Sequence, residues 1–386
     1  MSAPAIMHPG ELRWEARLLG VVTATMVVFG IAAMYGAASL LTSKGEYVGT
    51  TYVLSQLSGA VLGGVGLLIV SRIDYRIWQR LAWPMLLVTI GFLIIPLLPF
   101  TYGIAGELNG ARRWVDIGPV NFQPSELARL TLVIWCAMLA AKKGEQVRQL
   151  KKGVLPFLVV IGMVSGLILL EPNLSMATLV GLLGMTVLFT AGARIGHFVL
   201  LGFAAVLLLV NQIQDVEYRI KRITAFTQGA SATAPESVQL HQSLVGFGSG
   251  RMLGVGFGEG QQKLGYVPYA YSDFLFSTIG EEWGFLGVCV VVLLFTLFCW
   301  MGFRIARTAS DPFGQCLAIG LTCAVGITAF LHMAVTMGLM PTTGLTLPFM
   351  SHGRSSLVIS LIGTGILINI GRQRGKGVPA VRKDGR

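Results

Sequence analysis

Charge is what this chain has least of. Only 12% of its residues are charged, against 54% hydrophobic, and the mean hydropathy is +0.71. A water-soluble domain carries roughly a quarter charged residues to cover its surface. A soluble globular fold is therefore excluded, and a bilayer must serve as solvent for most of the chain. Cysteine is also sparse. Cys136, Cys289, Cys299, Cys316 and Cys323 all fall inside apolar runs, without the paired spacing of a metal site, and read as small core or lipid-facing residues. No short-period repeat, low-complexity tract or second domain is visible.

What is present is a series of bilayer-length apolar runs. They cover about 18–38, 53–71, 82–100, 126–141, 154–170, 174–192, 196–213, 274–302, 313–337 and 355–371. Several are shorter than the roughly 20 residues needed to span, and borrow flanking residues. The expected fold is an all-α integral membrane protein of about ten transmembrane helices, with a long extracytoplasmic loop, 214–272, between helices seven and eight. Residues 1–17 are expected to form a cytoplasmic N-terminal segment, 18–371 one polytopic membrane domain, and 372–386 a basic, disordered cytoplasmic tail. With so many spans following, the first is expected to be retained and not cleaved as a signal peptide.

The basic residues orient this arrangement. With both termini in the cytoplasm, 19 of the 29 Lys and Arg lie in cytoplasmic segments and 9 in outer ones, five of these in the long loop, where the rule is weak. The excess positive charge thus reads as topology and contact with anionic lipid, and nucleic-acid binding is not expected.

Polar residues gather on the expected outer side. Gln123-Pro124-Ser125-Glu126 can open a helix, and Glu126 and Arg129 share one of its faces. This pair reads either as a cap with a snorkelling arginine or as an intramembrane site, since ionisable groups pointing into a bundle are costly. Arg112 and Arg113, beside Trp114, suit an interfacial anchor or a phosphate equally well. Tyr218–Ile223 alternates basic with apolar or aromatic residues, as a membrane-surface segment would. Eight glycines lie among residues 246–265. A dinucleotide fingerprint would need a βαβ frame, and Lys263 lacks the context of a P-loop, so neither applies. The glycines instead let irregular backbone pack closely around a cavity. Asp273 follows at the mouth of span eight as a helix cap or a working carboxylate, with Glu281 and Glu282 beyond it as possible partners of Arg129 or His332.

These residues occur in an order that resembles the SEDS family (shape, elongation, division and sporulation), to which FtsW and RodA proteins belong. The resemblance covers about residues 18–371. It rests on Gly110–Trp114, Gln123–Leu130, Glu171–Leu174, Gln242–Leu244, Gln262–Leu264, Asp273–Phe276 with Gly280–Glu282, and Gly344–Phe349. Tyr218–Phe226 and Leu345–Pro348 look closer to the division-type FtsW branch. Four places depart from the family wording. Asn173 and Ser175 stand for Asp and Gly, and Arg129 for Lys. Pro268-Tyr269-Ala270-Tyr271-Ser272-Asp273 stands for Pro-Glu-Ala-His-Thr-Asp, and Ser351-His352-Gly353-Arg354-Ser355-Ser356 for Ser-Tyr-Gly-Gly-Ser-Ser.

The resemblance implies a peptidoglycan glycosyltransferase of the bacterial cytoplasmic membrane, active at the division site. It would polymerise lipid II, an undecaprenyl-pyrophosphate-linked disaccharide-peptide, with a class B penicillin-binding protein and other division proteins as partners. The aspartate matching Asp273 would be catalytic. Around it, Glu126, Arg129, Arg112, Arg113, Lys263, Gln123, Gln242 and Glu281 would bind substrate. No cofactor is declared, although a divalent cation, Mg or Mn, could share the neutralisation of pyrophosphate. Two rival readings are a lipid II flippase, which would place its polar site near mid-membrane, and a catalytically weak scaffold, for which Arg354 speaks.

Overall fold

The computed structural model describes residues 14–38, 42–43, 46–47, 49–99, 112–117, 120–203, 235–264 and 269–373, with single positions 101, 106, 220, 226 and 267. Its helices are α1 Trp14–Ala38, α2 Gly49–Val70, α3 Arg76–Ile94, α4 Pro124–Lys143, α5 Leu155–Leu170, α6 Leu174–Thr190, α7 Pro235–Gly250, α8 Leu275–Arg307, α9 Pro312–Thr336 and α10 Arg354–Arg372. Two small antiparallel hairpins join them, β1 Thr42–Ser43 with β2 Glu46–Tyr47 and β3 Val115–Ile117 with β4 Val120–Phe122. Among the described residues eight helices are long and apolar enough to cross a membrane, and α6 is a shorter apolar one. The expected seventh span is helical over 195–203, and its remainder lies outside the described residues. The long loop is not all loop: α7 occupies its middle.

The helix α4 is the hub. It packs on α3, α6 and α9 and is buried along nearly its whole length. By contrast α2 leaves Leu54, Leu57, Val61, Leu62, Val65 and Leu68 exposed, a surface that only lipid suits. Its other face closes on α10 through small residues, as membrane helices do where no hydrophobic force pulls them together. A side chain at Gly63 would meet Leu361 at 2.6 Å, and one at Gly365 would meet the Leu67 carbonyl at 2.8 Å. Higher on the same seam, the stem of Arg354 lies across Gly59, so the bulky cation at this position is housed by a missing side chain on α2.

At the basic end of the bundle, polar groups tie the helices together. Asn369 Nδ2 donates to the Ser71 carbonyl at 2.9 Å, and its Oδ1 accepts from Tyr75 N at 2.9 Å. The Tyr75 hydroxyl donates to Asp311, which caps α9. Arg304 on α8 lies between the rings of Trp14 and Trp300, at 5.2 and 5.3 Å, and its Nε reaches Glu15 Oε1 at 3.2 Å. Such an aromatic and cationic belt marks a membrane–water boundary.

The helix α8 is broken. Gly284 takes φ 65 and ψ −160, which takes two carbonyls and two amides out of the helical ladder. In an apolar bilayer each such group must find another partner. The glycine-rich loop supplies all four: Val255 N and Gly256 N donate to the Glu281 and Glu282 carbonyls at 3.0 and 3.2 Å. In return, Phe285 N and Leu286 N donate to the Arg251 and Met252 carbonyls at 2.9 and 3.2 Å. Backbone must approach backbone for this to happen. A Cβ at Gly250 would fall 1.9 Å from the Gly280 carbonyl, and one at Gly284 would fall 2.3 Å from Gly254 N. The glycines thus serve a helix break. Gly284→Ala combines left-handed strain with overpacking and should destabilise the protein by on the order of 2–4 kcal/mol. A clear fall in the melting temperature of the purified protein is the expected outcome.

Candidate active site

Asp273 stands just before α8, half-buried, in a turn closed by Ser272 N and Asp273 N donating to the Tyr269 carbonyl at 2.9 and 3.0 Å. The N-cap itself is Phe274, whose side chain makes no cap hydrogen bond. Ser272 Oγ donates to Asp273 Oδ1 at 2.8 Å. The carboxylate also benefits from the positive end of the α8 dipole. Its Oδ2 faces Gly344, which opens a strap, residues 344–353, running to the start of α10.

Glu126 and Arg129 are both buried in the first turns of α4, and Arg129 Nη2 meets Glu126 Oε2 at 3.0 Å. The same nitrogen donates to Ser360 Oγ on α10 at 2.9 Å. Below them a cavity of about 20 Å³, lined by Arg129, Phe298, Ser360 and Thr364 among others, has room for about one water. Gln123 precedes the helix in extended backbone, and Pro124 occupies the first turn without a side-chain cap. The Gln123 amide donates to Ser355 Oγ at 3.2 Å, tying this segment to the start of α10. The strap and α10 therefore join the Glu126–Arg129 pair to Asp273. Gln242 is half-buried on α7, next to Ser243, whose hydroxyl donates to the Thr336 carbonyl at 2.8 Å.

Lys263 and Glu281 prove to be parts of the loop's own framework. Lys263 Nζ contacts Glu282 Oε1 at 3.1 Å, the Gly36 carbonyl at 3.0 Å and the Gly258 carbonyl at 2.6 Å. Glu282 Oε2 accepts from Gly258 N at 3.0 Å. Glu281 accepts from Gln261 N at 2.8 Å and from Gln262 N at 3.3 Å. Neither acid partners Arg129 or His332. His332 instead reaches the Leu345 carbonyl through Nδ1 at 2.7 Å. The Lys263 ammonium is enclosed and engaged by the chain itself. Breaking a buried pair leaves an uncompensated charge, so Lys263→Met should cost about 3–5 kcal/mol. Adding Glu282→Leu should return part of that in thermal melting, whereas a lysine that held substrate would change KM and leave the melting temperature alone.

Arg112 and Arg113 diverge. Arg112 donates to the Leu98 carbonyl at 3.2 Å and to Thr101 Oγ1 at 2.9 Å. Arg113 donates through Nε to the Glu171 carbonyl at 3.1 Å and through Nη2 to the Pro172 carbonyl. In that turn the Glu171 side chain is buried with neither oxygen hydrogen-bonded. Burial pushes its carboxyl up to about 8, with the Arg113 guanidinium pulling the other way. The folded state thus holds a proton that the unfolded chain releases near 4.5, and stability falls as pH rises from there to about 8. Glu171→Gln should melt like the parent near pH 4.5 and above it at pH 9.

Two residues near the candidate site escaped sequence reasoning. Gln56 and Ser360 each act through a partner distant in sequence. Gln56 could have been noticed as an amide within an apolar span.

With this geometry in place, known proteins can be compared. The cell cycle protein family of FtsW, RodA and SpoVE matches residues 16–376. The chain belongs to this family. It is 40% identical over 365 residues to the protein named Probable peptidoglycan glycosyltransferase FtsW of Trichlorobacter lovleyi, covering 95% of each chain. It is 32% identical to stage V sporulation protein E of Bacillus subtilis, covering 92% of this chain and 96% of that one. Among solved structures, a chain from a peptidoglycan synthase complex that coordinates polymerization and crosslinking superposes with a TM-score of 0.76 at 26% identity, over 93% of this chain and 98% of that one. Thermus thermophilus rod shape determining protein RodA superposes with a TM-score of 0.67 at 25% identity, over 92% and 96%. The fold is thus an all-helical, multi-span membrane fold that matches RodA, and FtsW proteins stand among the relatives.

Proposed function

We propose that this chain is a peptidoglycan glycosyltransferase that polymerises lipid II at the outer face of the bacterial cytoplasmic membrane, in septal wall synthesis. Full-length similarity to FtsW glycosyltransferases supports the reaction class. The observation that carries the site is Asp273, a half-buried carboxylate held by Ser272 at the mouth of a broken helix. In the reaction a sugar hydroxyl of one lipid-linked molecule attacks the anomeric carbon of another. Asp273 takes the hydroxyl proton as the new C–O bond forms, and the lipid pyrophosphate leaves with the electron pair of the old one. Arg129, turned inward by Glu126 and Ser360, and the guanidinium groups of Arg112 and Arg113 supply positive charge on the leaving-group side. Gln123 and Gln242 are the amides nearest this role.

Among the described residues no three His, Cys, Asp or Glu side chains gather as a metal group. A Mg or Mn ion held between one or two carboxylates and the substrate pyrophosphate would need no such group. A class B penicillin-binding protein and other division proteins are the proposed partners, in keeping with the synthase complex that shares this fold. Cytoplasmic termini follow from the distribution of Lys and Arg. A flippase is less well supported. Transporters leave broken helix ends open to their ligand, whereas here loop 251–256 satisfies the break around Gly284.

Asp273→Asn should lower lipid II polymerisation by about 100-fold or more, the usual scale of a lost general base. Purified protein with its transpeptidase partner, assayed on lipid II, checks this; polymer formed at the parent rate would remove Asp273 from the mechanism.

A further inference from the structure

Three rings meet at the outer end of α2. Tyr52 lies 4.7 Å from the Tyr271 ring and 5.2 Å from the His352 ring, and Tyr271 and His352 are 5.7 Å apart. Tyr271 belongs to the turn that presents Asp273, while His352 belongs to the strap that begins beside that same carboxylate at Gly344. The two segments are also joined through backbone, His352 N donating to the Tyr271 carbonyl at 3.0 Å. Gln56, one turn along α2 from Tyr52 and fully buried, grips the strap on both sides of His352. Its Nε2 donates to the Ser351 carbonyl at 2.9 Å, and its Oε1 accepts from Gly353 N at 3.1 Å.

We propose that Tyr271 and His352 form one contact pair, which locks the Asp273 turn to the 344–353 strap and so positions the carboxylate for the reaction. They are positioning residues, and the role rests on Asp273 being the base as proposed above. The contact is between neutral rings. Burial and the nearby Arg354 push His352 down to about 4, and burial followed by Tyr52 pushes the Tyr271 phenol up. An edge-to-face aromatic contact depends on the size and charge distribution of both rings together, here one phenol and one imidazole. Two tyrosines or two histidines at these places would therefore not reproduce it.

The test is a double-mutant cycle on the full chain with its transpeptidase partner, using Tyr271→His, His352→Tyr and the double variant. Lipid II polymerisation and thermal melting are read together. Each single variant should lower polymerisation by about tenfold and lower the melting temperature. The double variant should return polymerisation to within about threefold of the parent and restore most of the melting temperature, a coupling of the size expected for residues in contact. A double variant whose loss equals the product of the single losses, or that does not fold, overturns the proposal. So do single variants that behave like the parent. Coupling seen in melting while Asp273→Asn still polymerises would leave the pair standing as a structural lock and remove the catalytic reading alone.

Discussion

A membrane helix can be interrupted only if its released backbone groups find other partners, and this constraint organises one side of the bundle. At Gly284 four such groups are released, and two carbonyls and two amides of the loop, from Arg251, Met252, Val255 and Gly256, receive them. Once that loop is bonded to α8, α7 must run along the outer half of the helix, and Gly250 and Gly280 must lie backbone to backbone. The buried Lys263–Glu282 pair then fastens the far side of the loop to the end of α1. The turn bearing Asp273 begins where this framework ends, so its position is inherited from the break.

The described charges of the interior follow a common rule. Glu126 with Arg129 and Lys263 with Glu282 each close inside the protein, as buried charges in a bilayer must. Glu171 follows it differently. Its side chain has an arginine close by, but that arginine spends two hydrogen bonds on the carbonyls of the turn, and the carboxyl answers by holding its proton. Polar groups without charge do the joining between the two halves of the site. Ser355, Ser360 and Gln56 connect α4, α10, α2 and the strap.

The helical membrane fold was legible because hydropathy at bilayer length is a local property. Asp273, Glu126 and Arg129 were legible because polar residues are rare in such a chain, and rarity draws attention. The role of the glycines was not. Their spacing says that backbone comes close to something, but the partner, α8, lies some thirty residues on, and only a broken helix gives the closeness a purpose. The Lys263–Glu282 pairing was not legible for a related reason: a lysine near a proposed phosphate site and a lysine in a buried pair have the same sequence context. The helix α7 was missed because a segment with three glycines in its last five residues is a poor helix former, and its packing on α8 overrides that preference.

The aromatic belt around Arg304 gives α8 a second meaning, that of a ruler. From Phe285 to Arg304 the unbroken part of the helix rises about 30 Å, which is about the thickness of the hydrocarbon core of a bilayer. Phe285, Leu286, Val290, Leu293, Trp300 and Phe303 are exposed along it, as a lipid-facing surface requires. With Arg304 and Trp300 at one water boundary, the break at Gly284 lies just inside the far edge of the hydrocarbon core. The short segment beyond it, with Asp273 at its tip, therefore reaches headgroup depth. A substrate held by a long lipid tail carries its pyrophosphate in that same layer, so on the mechanism proposed above the bilayer itself would bring the reacting bond to the level of the carboxylate, and the protein need only align the two laterally.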